Sequence, residues 1–314
     1  MKAVFRVVGA GLLVCLGVAP ILAAPQEEPD DQLTIEVEVE LVNVTATVLD
    51  PDGGYAEGLT VGDFTIFESG VPQEVSFFSH DQDVPVSLGI LVDVSGSMKH
   101  KLQQALQIAR EVAVALSPSD EVFIMTFSDD LNVLTDFTTT GPHLQQIFRG
   151  VRSGGDTHQY DSIQLALRMM ENARHQKKVV LLLSDGFDAG SRIGAEETEE
   201  LLKRSEVLVY AIGIDDDDTD PEVLRRTRYH VYHYMLTRLT DLTGGRAFRV
   251  YTGRRYALQS LAEILLDELH QQYTLSYYPV NRAIDANWRE IRVELNDPDA
   301  TVRHRPGYYV APPE

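Results

Sequence analysis

The stretch DVSGS, from Asp93 to Ser97, brings one carboxylate and two hydroxyl groups close together in the chain. It follows an apolar run from Leu88 to Val92 and precedes a pattern typical of an amphipathic helix, so we expect a tight loop at the end of a strand. Asp93, Ser95 and Ser97 would offer three oxygen ligands to a hard cation. Mg²⁺ takes about six oxygens and keeps some of its waters, whereas Ca²⁺ usually takes more carboxylates, so the stretch favours Mg²⁺.

Two later loops add further oxygen donors. The apolar run VVLLL, from Val179 to Leu183, ends in Ser184 and Asp185. The Gly-rich stretch at residues 153–162 opens a helical pattern and contains the hydroxyl of Thr157. Parallel strands end at a common edge of their sheet, so Asp185 is expected on the same edge as Asp93. The three loops would then converge on one ion.

The elements that must position these loops alternate between strand and helix, from about residue 85 to residue 270. Four apolar runs without alternation are typical of strands covered on both faces. Helical repeats with apolar residues at spacings of three and four lie between them. We therefore predict an α/β fold with a doubly wound, mostly parallel sheet, in which ligands bind where the strand order reverses. The four runs are 88–92, 122–127, 179–183 and 207–214.

Both flanks of this central segment are rich in strand patterns. Residues 32–80 alternate apolar and polar side chains, with a change of phase between Leu41 and Val42 that indicates a bulge or a strand break. Residues 271–314 contain three more short strand patterns. Each flank has too few strands to bury its apolar faces alone. We predict that both flanks form one β-sandwich, with the α/β domain at residues 85–270 inserted between them.

Residues 1–24 have the pattern of a secretory signal peptide. Lys2 and Arg6 precede an apolar run at residues 7–22, and small residues follow it. A retained membrane anchor is the alternative, although the run is shorter than the roughly 20 residues that a membrane span needs. The single cysteine, Cys15, lies inside this segment, so the mature chain would have no disulfide. We expect an exported protein, periplasmic or extracellular.

The strong acidity of the chain limits its partners. The formal net charge is −21, and removal of Lys2 and Arg6 with the signal peptide would bring it to −23. Such a surface disfavours nucleic acid and anionic membranes as partners. Charge does not predict the oligomeric state.

Two other groups of residues could bind metals, but the sequence favours a structural or solvent-exposed role for each of them. The acidic cluster of residues 215–218 and Asp220 could hold Ca²⁺, yet a solvated loop that ends where Pro221 starts a helix is favoured. His230 and His233 lie three residues apart, but the sequence supplies no further zinc ligands beside them.

The central segment resembles the von Willebrand factor type A (VWA) domain. The metal-ion-dependent adhesion site of that family has the pattern D-x-S-x-S, then a Thr from a later loop and an Asp after the fourth strand. Asp93, Ser95 and Ser97 match the first part, Thr157 matches the Thr, and Asp185 matches the last Asp. The resemblance implies a Rossmann-like sheet, a bound Mg²⁺ or Mn²⁺, and a protein ligand whose acidic side chain completes the coordination. The flanks are similar to those of bacterial secreted proteins that carry this domain.

Three functions fit these observations. The preferred one is an exported, metal-dependent, adhesion-type protein-binding module that is not an enzyme. The first alternative is a Mg²⁺-dependent hydrolase similar to phosphatases of the haloacid dehalogenase kind. That chemistry needs a second Asp where Ser95 stands and a basic residue to hold phosphate, for which Lys99 is the only candidate near Asp93 in the sequence. The second alternative is a metal-free scaffold of the cell envelope.

Overall fold

A computed structural model describes residues 41–215, 233–251, 256–283 and 285–310. The strands of these residues are β1 (Val42–Leu49), β2 (Phe64–Glu68), β3 (Val71–Gln73), β4 (Val75–His80), β5 (Val86–Asp93), β6 (Glu121–Phe127), β7 (Leu131–Thr138), β8 (Lys177–Ser184), β9 (Leu208–Asp215), β10 (Ala247–Tyr251), β11 (Gln272–Tyr277), β12 (Trp288–Leu295), β13 (Thr301–Arg303) and β14 (Gly307–Tyr309). The helices are α1 (Leu102–Ala115), α2 (Gln159–Met170), α3 (Ala195–Arg204), α4 (233–241) and α5 (Tyr256–His270).

The central sheet has the strand order β10-β9-β8-β5-β6-β7. All neighbouring pairs are parallel except β6 and β7, which are antiparallel. From β5 the chain moves to β6 on one side, and it later returns to β8 on the other side of β5. The strand order therefore reverses between β5 and β8, which is where ligands of such sheets bind. The predicted doubly wound α/β sheet is confirmed.

Helices cover both faces of this sheet. Helices α1 and α5 pack on one face, and α2, α3 and α4 pack on the other. All eight residues of β5 are consequently buried, as the unbroken apolar run predicts. Each large aliphatic side chain buried in this way contributes about 1.5–3 kcal/mol. Gly89 is required in β5, because a Cβ there would lie 2.3 Å from the ring of Phe123.

Two antiparallel sheets of four strands are built from the flanks. Their orders are β13-β1-β11-β4 and β14-β12-β2-β3. In the first sheet, β11 lies between β1 and β4, and in the second, β12 lies between β14 and β2. The strands of the first flank therefore meet those of the second flank in both sheets, and the predicted sandwich is confirmed. Its core is one apolar cluster that includes Val44, Val48, Ile66, Tyr273, Leu275 and Val293.

The sandwich also buries a charged pair. The carboxylate of Glu68 lies 3.1 Å from Nη1 of Arg289, and both side chains are almost fully buried. The hydroxyls of Tyr277 and Tyr308 each donate a hydrogen bond of 2.8 Å to Oε2 of Glu68. Arg289 also donates to the carbonyls of residues 281 and 283. This network satisfies the buried charges, which would otherwise carry a large desolvation cost.

Some sequence-based predictions lie outside the described residues. These are the signal peptide, the strand pattern before Leu41, residues 216–218 and 220 of the acidic cluster, and His230. Asp215 itself ends β9 and pairs with Arg249 at 2.6 Å. Among the described residues, no helix has both the length and the apolar character that a membrane crossing needs.

Candidate metal site

Asp93 is the last residue of β5 and is fully buried. Its Oδ1 accepts a hydrogen bond of 2.9 Å from the backbone N–H of Ser95, and its Oδ2 accepts one of 2.7 Å from the hydroxyl of Ser184. Burial raises the pKa of Asp93 to about 6, and the nearby charge of Asp185 adds to the rise, while the bonds from Ser95 and Ser184 oppose it. A cation beside Asp93 would relieve this penalty on its charge.

The two serines of the first loop lie beside each other. Ser95 Oγ and Ser97 Oγ are 3.1 Å apart, on either side of the start of a short 3₁₀ turn at Gly96–Met98. Ser95 is buried, whereas Ser97 is exposed to solvent. The pair of hydroxyls thus leads from the buried Asp93 towards the surface, where another molecule has access.

Asp185 follows β8 directly and is 6% exposed. Its Oδ2 accepts a hydrogen bond of 3.0 Å from the ammonium group of Lys101. Its Oδ1 is buried and has no hydrogen-bond partner among the described residues. A buried carboxylate oxygen without a partner is costly, and a bound cation is one way to satisfy it.

The Gly-rich loop is fixed between the other two loops by backbone hydrogen bonds. The N–H of Gly154 donates to the carbonyl of Val94 at 2.8 Å, and the N–H of Gly96 donates to the carbonyl of Gly155 at 2.9 Å. The carbonyl of Thr157 accepts from residues 189 and 190, which follow Asp185 in the third loop. Thr157 is 3% exposed. The three loops predicted to converge are therefore in direct contact.

Asp129 holds the Gly-rich loop from the outside. Its Oδ1 accepts a hydrogen bond of 2.6 Å from the N–H of Asp156. Gly155 has a φ of +82°, and a Cβ there would lie 2.4 Å from Oδ2 of Asp129. Only glycine fits this position without strain and without displacing the carboxylate.

Sequence reasoning missed three side chains of the site. The prediction of Lys99 as the one basic candidate near Asp93 is wrong: Lys99 is exposed, and Lys101 pairs with Asp185. Ser184, at the end of its strand, and Asp129 belong to no metal-ligand pattern in the sequence. Strand register could have found Ser184, because Val92 is the partner of Leu183, and Asp93 and Ser184 are the residues that follow these two.

The donor set fits a hard cation. No three His, Cys, Asp or Glu side chains cluster as a metal-binding group in the part of the chain that the structure describes. A cation at this edge would therefore depend on two carboxylates together with hydroxyls and water. That combination suits Mg²⁺ or Mn²⁺ better than a site built from histidine or cysteine would.

A family model, the von Willebrand factor type A domain, matches residues 88–187. The match begins in β5 and ends two residues after Asp185, so it includes all five predicted ligand residues. No match was found among the curated proteins.

Solved structures with a similar arrangement come from several organisms. An aerotolerance-related membrane protein from Bacteroides fragilis is 18% identical, with 59% of this chain and 98% of that chain covered and a TM-score of 0.45. A von Willebrand factor type A protein from Catenulispora acidiphila is 12% identical, with 87% and 74% covered and a TM-score of 0.44.

A third similar structure is proximal thread matrix protein 1 from the mussel byssus, described with a zinc-occupied MIDAS (metal-ion-dependent adhesion site) motif. It is 16% identical, with 64% of this chain and 49% of that chain covered and a TM-score of 0.47. The order of the central strands, the contact of the three loops and the match of the family model agree with one another. Residues 88–187 are therefore similar to a von Willebrand factor type A domain.

Proposed function

We propose that this protein is an exported protein-binding module whose VWA domain holds a divalent cation, Mg²⁺ or Mn²⁺. The ligands would be Asp93, Ser95, Ser97, Thr157 and Asp185. A partner protein would complete the coordination with an acidic side chain. VWA domains are generally interaction modules rather than enzymes, which supports this class of function.

One observation carries the proposal. Asp93 ends β5 and Asp185 directly follows the neighbouring β8, at the point where the strand order reverses. Oδ1 of Asp185 is buried and has no hydrogen-bond partner among the described residues. A structural carboxylate would be expected to have its oxygens satisfied by protein groups. An oxygen left free beside a second buried carboxylate is expected of a cation site.

The donor set also explains the expected partner. Hydroxyl ligands are neutral, so a divalent cation held by few carboxylates keeps net positive character. Ser97 lies at the surface, where a further ligand can reach the ion. A carboxylate from another protein would be attracted to that position, as hard cations prefer oxygen ligands of negative charge.

Export rests on the signal-peptide pattern of residues 1–24. An adhesion-type role at the cell envelope or outside the cell would follow from it. Detection of the mature chain, with its new N-terminus, in the periplasmic or culture fraction would support export. A chain that keeps residues 1–24 in the membrane fraction would favour the anchored alternative.

Calorimetry tests the metal site. The parent chain should bind one Mg²⁺ or Mn²⁺, and Asp93→Ala and Thr157→Val should bind it at least tenfold more weakly, since each loses a ligand. Asp136→Ala is the matched control, because it removes an exposed carboxylate from β7. Equal binding by the parent and Asp93→Ala would refute the site. A pull-down from the envelope fraction, with Mg²⁺ and with chelator, would then identify partners that depend on the cation.

The hydrolase alternative gains one feature from the structure. Lys101 supplies a basic group near the two carboxylates, which the sequence had not indicated. Phosphoryl transfer uses such groups to stabilise charge on the phosphate. Release of phosphate from phenyl phosphates by the parent, lost in Asp93→Asn, would favour this alternative over the binding module.

A further inference from the structure

We infer that Lys101 competes with the divalent cation for Asp185 and thereby sets the affinity of the site. This inference rests on the proposed function and adds a regulatory residue to it. The ammonium group of Lys101 lies 3.0 Å from Oδ2 of Asp185. Among the described residues, no other basic side chain forms an ion pair with Asp93 or Asp185. No residue of the D-x-S-x-S pattern has this role.

The backbone holds Lys101 firmly at this place. Its N–H donates to the carbonyl of Met98 at 2.9 Å, and its carbonyl accepts the first bonds of α1 from Gln104 and Ala105. Met98 is itself fully buried. The side chain of Lys101 is only 11% exposed, so its stem lies along the protein rather than in solvent. The backbone at Lys101 therefore places the ammonium group within hydrogen-bond distance of Asp185.

The charge balance explains the competition. Asp93 and Asp185 bring two negative charges into a buried region, and Lys101 offsets one of them. A divalent cation bound between the two carboxylates would lie within a few ångströms of the ammonium group. Like charges at such a separation repel strongly where water is scarce. Binding of the cation must therefore push the ammonium group away from Asp185, and that step weakens the affinity.

A competing lysine would also make the occupancy of the site depend on the concentration of the cation. The cation would occupy the site only above a threshold concentration. Below that concentration, Lys101 would keep Asp185 paired and the loops in contact. Removal of the ammonium charge should therefore strengthen cation binding and, without cation, weaken the fold.

The test measures Mn²⁺ and Mg²⁺ affinity by calorimetry on the full chain. Lys101→Met should bind about tenfold or more tightly than the parent, because the competing charge is gone. Its unfolding temperature in chelator should be lower than that of the parent, and saturating Mg²⁺ should restore it. Lys101→Gln keeps an amide donor without charge and serves as the second variant if Lys101→Met does not fold. Lys101→Arg keeps the charge and should bind within about twofold of the parent.

Lys99→Met is the matched control, since it removes a positive charge from the same segment at an exposed position. It should leave the affinity within about twofold of the parent. Equal or weaker cation binding by folded Lys101→Met and Lys101→Gln, with binding by the parent, would overturn the inference while leaving the proposed metal site intact. Absence of binding in the parent and in both folded variants would overturn the metal site itself. Binding by the variants alone would support the competition.

Discussion

Ser184 donates a hydrogen bond of 2.7 Å to Oδ2 of Asp93. The bond joins the carboxyl ends of β8 and β5, the two strands between which the strand order reverses. Ser184 Oγ also accepts a bond of 3.0 Å from the N–H of Gly186, so its donor direction is fixed. One hydroxyl thus orients the buried carboxylate and the turn that follows Asp185.

Removal of this hydroxyl should weaken cation binding without removing a ligand. Ser184→Ala is expected to bind Mn²⁺ about tenfold more weakly, because residues that orient a metal ligand affect affinity by about 10- to 100-fold. Ser87→Ala is the control: it deletes a buried hydroxyl at the opposite end of β5, where Ser87 donates to Glu121. Calorimetry should show parent-like affinity for the control. Parent-like affinity in Ser184→Ala would mean that the bond has no part in the site.

The buried charge of Asp93 should make the chain less stable when no cation is bound. Burial and Asp185 raise the pKa of Asp93, so its ionised form is disfavoured in the folded state. Asp93→Asn should therefore increase the free energy of unfolding in chelator at pH 8, by about 1–3 kcal/mol. Asp130→Asn, at an exposed position, should change it by less than about 0.5 kcal/mol. Urea titration measures both, and a clear loss of stability in Asp93→Asn would contradict this electrostatic account.

Gly155, in the Gly-rich loop, and Gly150, which precedes that loop, form a matched pair of glycines. Gly155 and Gly150 both have a φ of +82°, but a Cβ at Gly150 would meet no atom within 4 Å, whereas one at Gly155 would collide with Asp129. Both alanine variants should lose about 1–2 kcal/mol from backbone strain. Only Gly155→Ala should also weaken Mn²⁺ binding, by about tenfold, since its loop carries Thr157. Equal affinities in the two variants would show that the loop does not support the site.

The charged pair inside the sandwich should be essential for stability. Glu68→Ala leaves Arg289 buried without its carboxylate and removes the acceptor of Tyr277 and Tyr308. The free energy of unfolding should fall by about 3–5 kcal/mol. Glu290→Ala, at an exposed position of β12, should cost less than about 0.5 kcal/mol. A loss below about 1 kcal/mol in Glu68→Ala would mean that water reaches the pair.

His304 should make stability depend on pH. Burial lowers the pKa of His304 in the folded chain. Nε2 accepts a bond of 3.2 Å from the N–H of Val293, and Nδ1 lies 2.7 Å from the carbonyl of Arg305, so the neutral ring with its proton on Nδ1 satisfies both contacts. Below the ordinary histidine pKa of about 6.5, the unfolded chain binds the proton more readily than the folded chain.

The contribution of His304 is therefore complete above about pH 6.5 and is lost as the pH falls towards its lowered folded pKa. His304→Gln keeps an acceptor for Val293 and cannot be protonated, so its unfolding midpoint should fall less between pH 7 and pH 5. His143→Gln, at an exposed position, should follow the parent. The same pH dependence in His304→Gln and the parent would assign the effect to other groups.

Much of the fold could be predicted because its signals are local. The runs that became β5, β6, β8 and β9 are apolar without alternation, and the structure buries them on both faces. The sandwich followed from a count of strands in each flank. β7 was not predicted: it lies at the edge of the sheet with mostly exposed or half-buried side chains, so it has no clear apolar period. The domain boundaries at residues 85 and 270 stay a prediction.

The site was predictable only where a pattern of residues carried it. The loops of Asp93, Thr157 and Asp185 were expected to converge because parallel strands share an edge, and the structure brings those loops into contact. Lys101 could not be found in this way, since it lies 84 residues from Asp185 and a lysine at the start of a helix has no unusual feature. Its role depends on the direction of one side chain, which sequence spacing does not define.

The position of β11 between β1 and β4 has a consequence for synthesis. Thr47 and Gln272, whose side chains hydrogen-bond across β1 and β11, are 225 residues apart. A ribosome adds about 5–20 residues per second, so β1 waits about 10–45 s for its neighbour. During that time its edge is unpaired and open to association with other nascent chains. A translational stop before Gln272 would leave β1 and β4 without their shared neighbour, and the shortened product should be aggregation-prone.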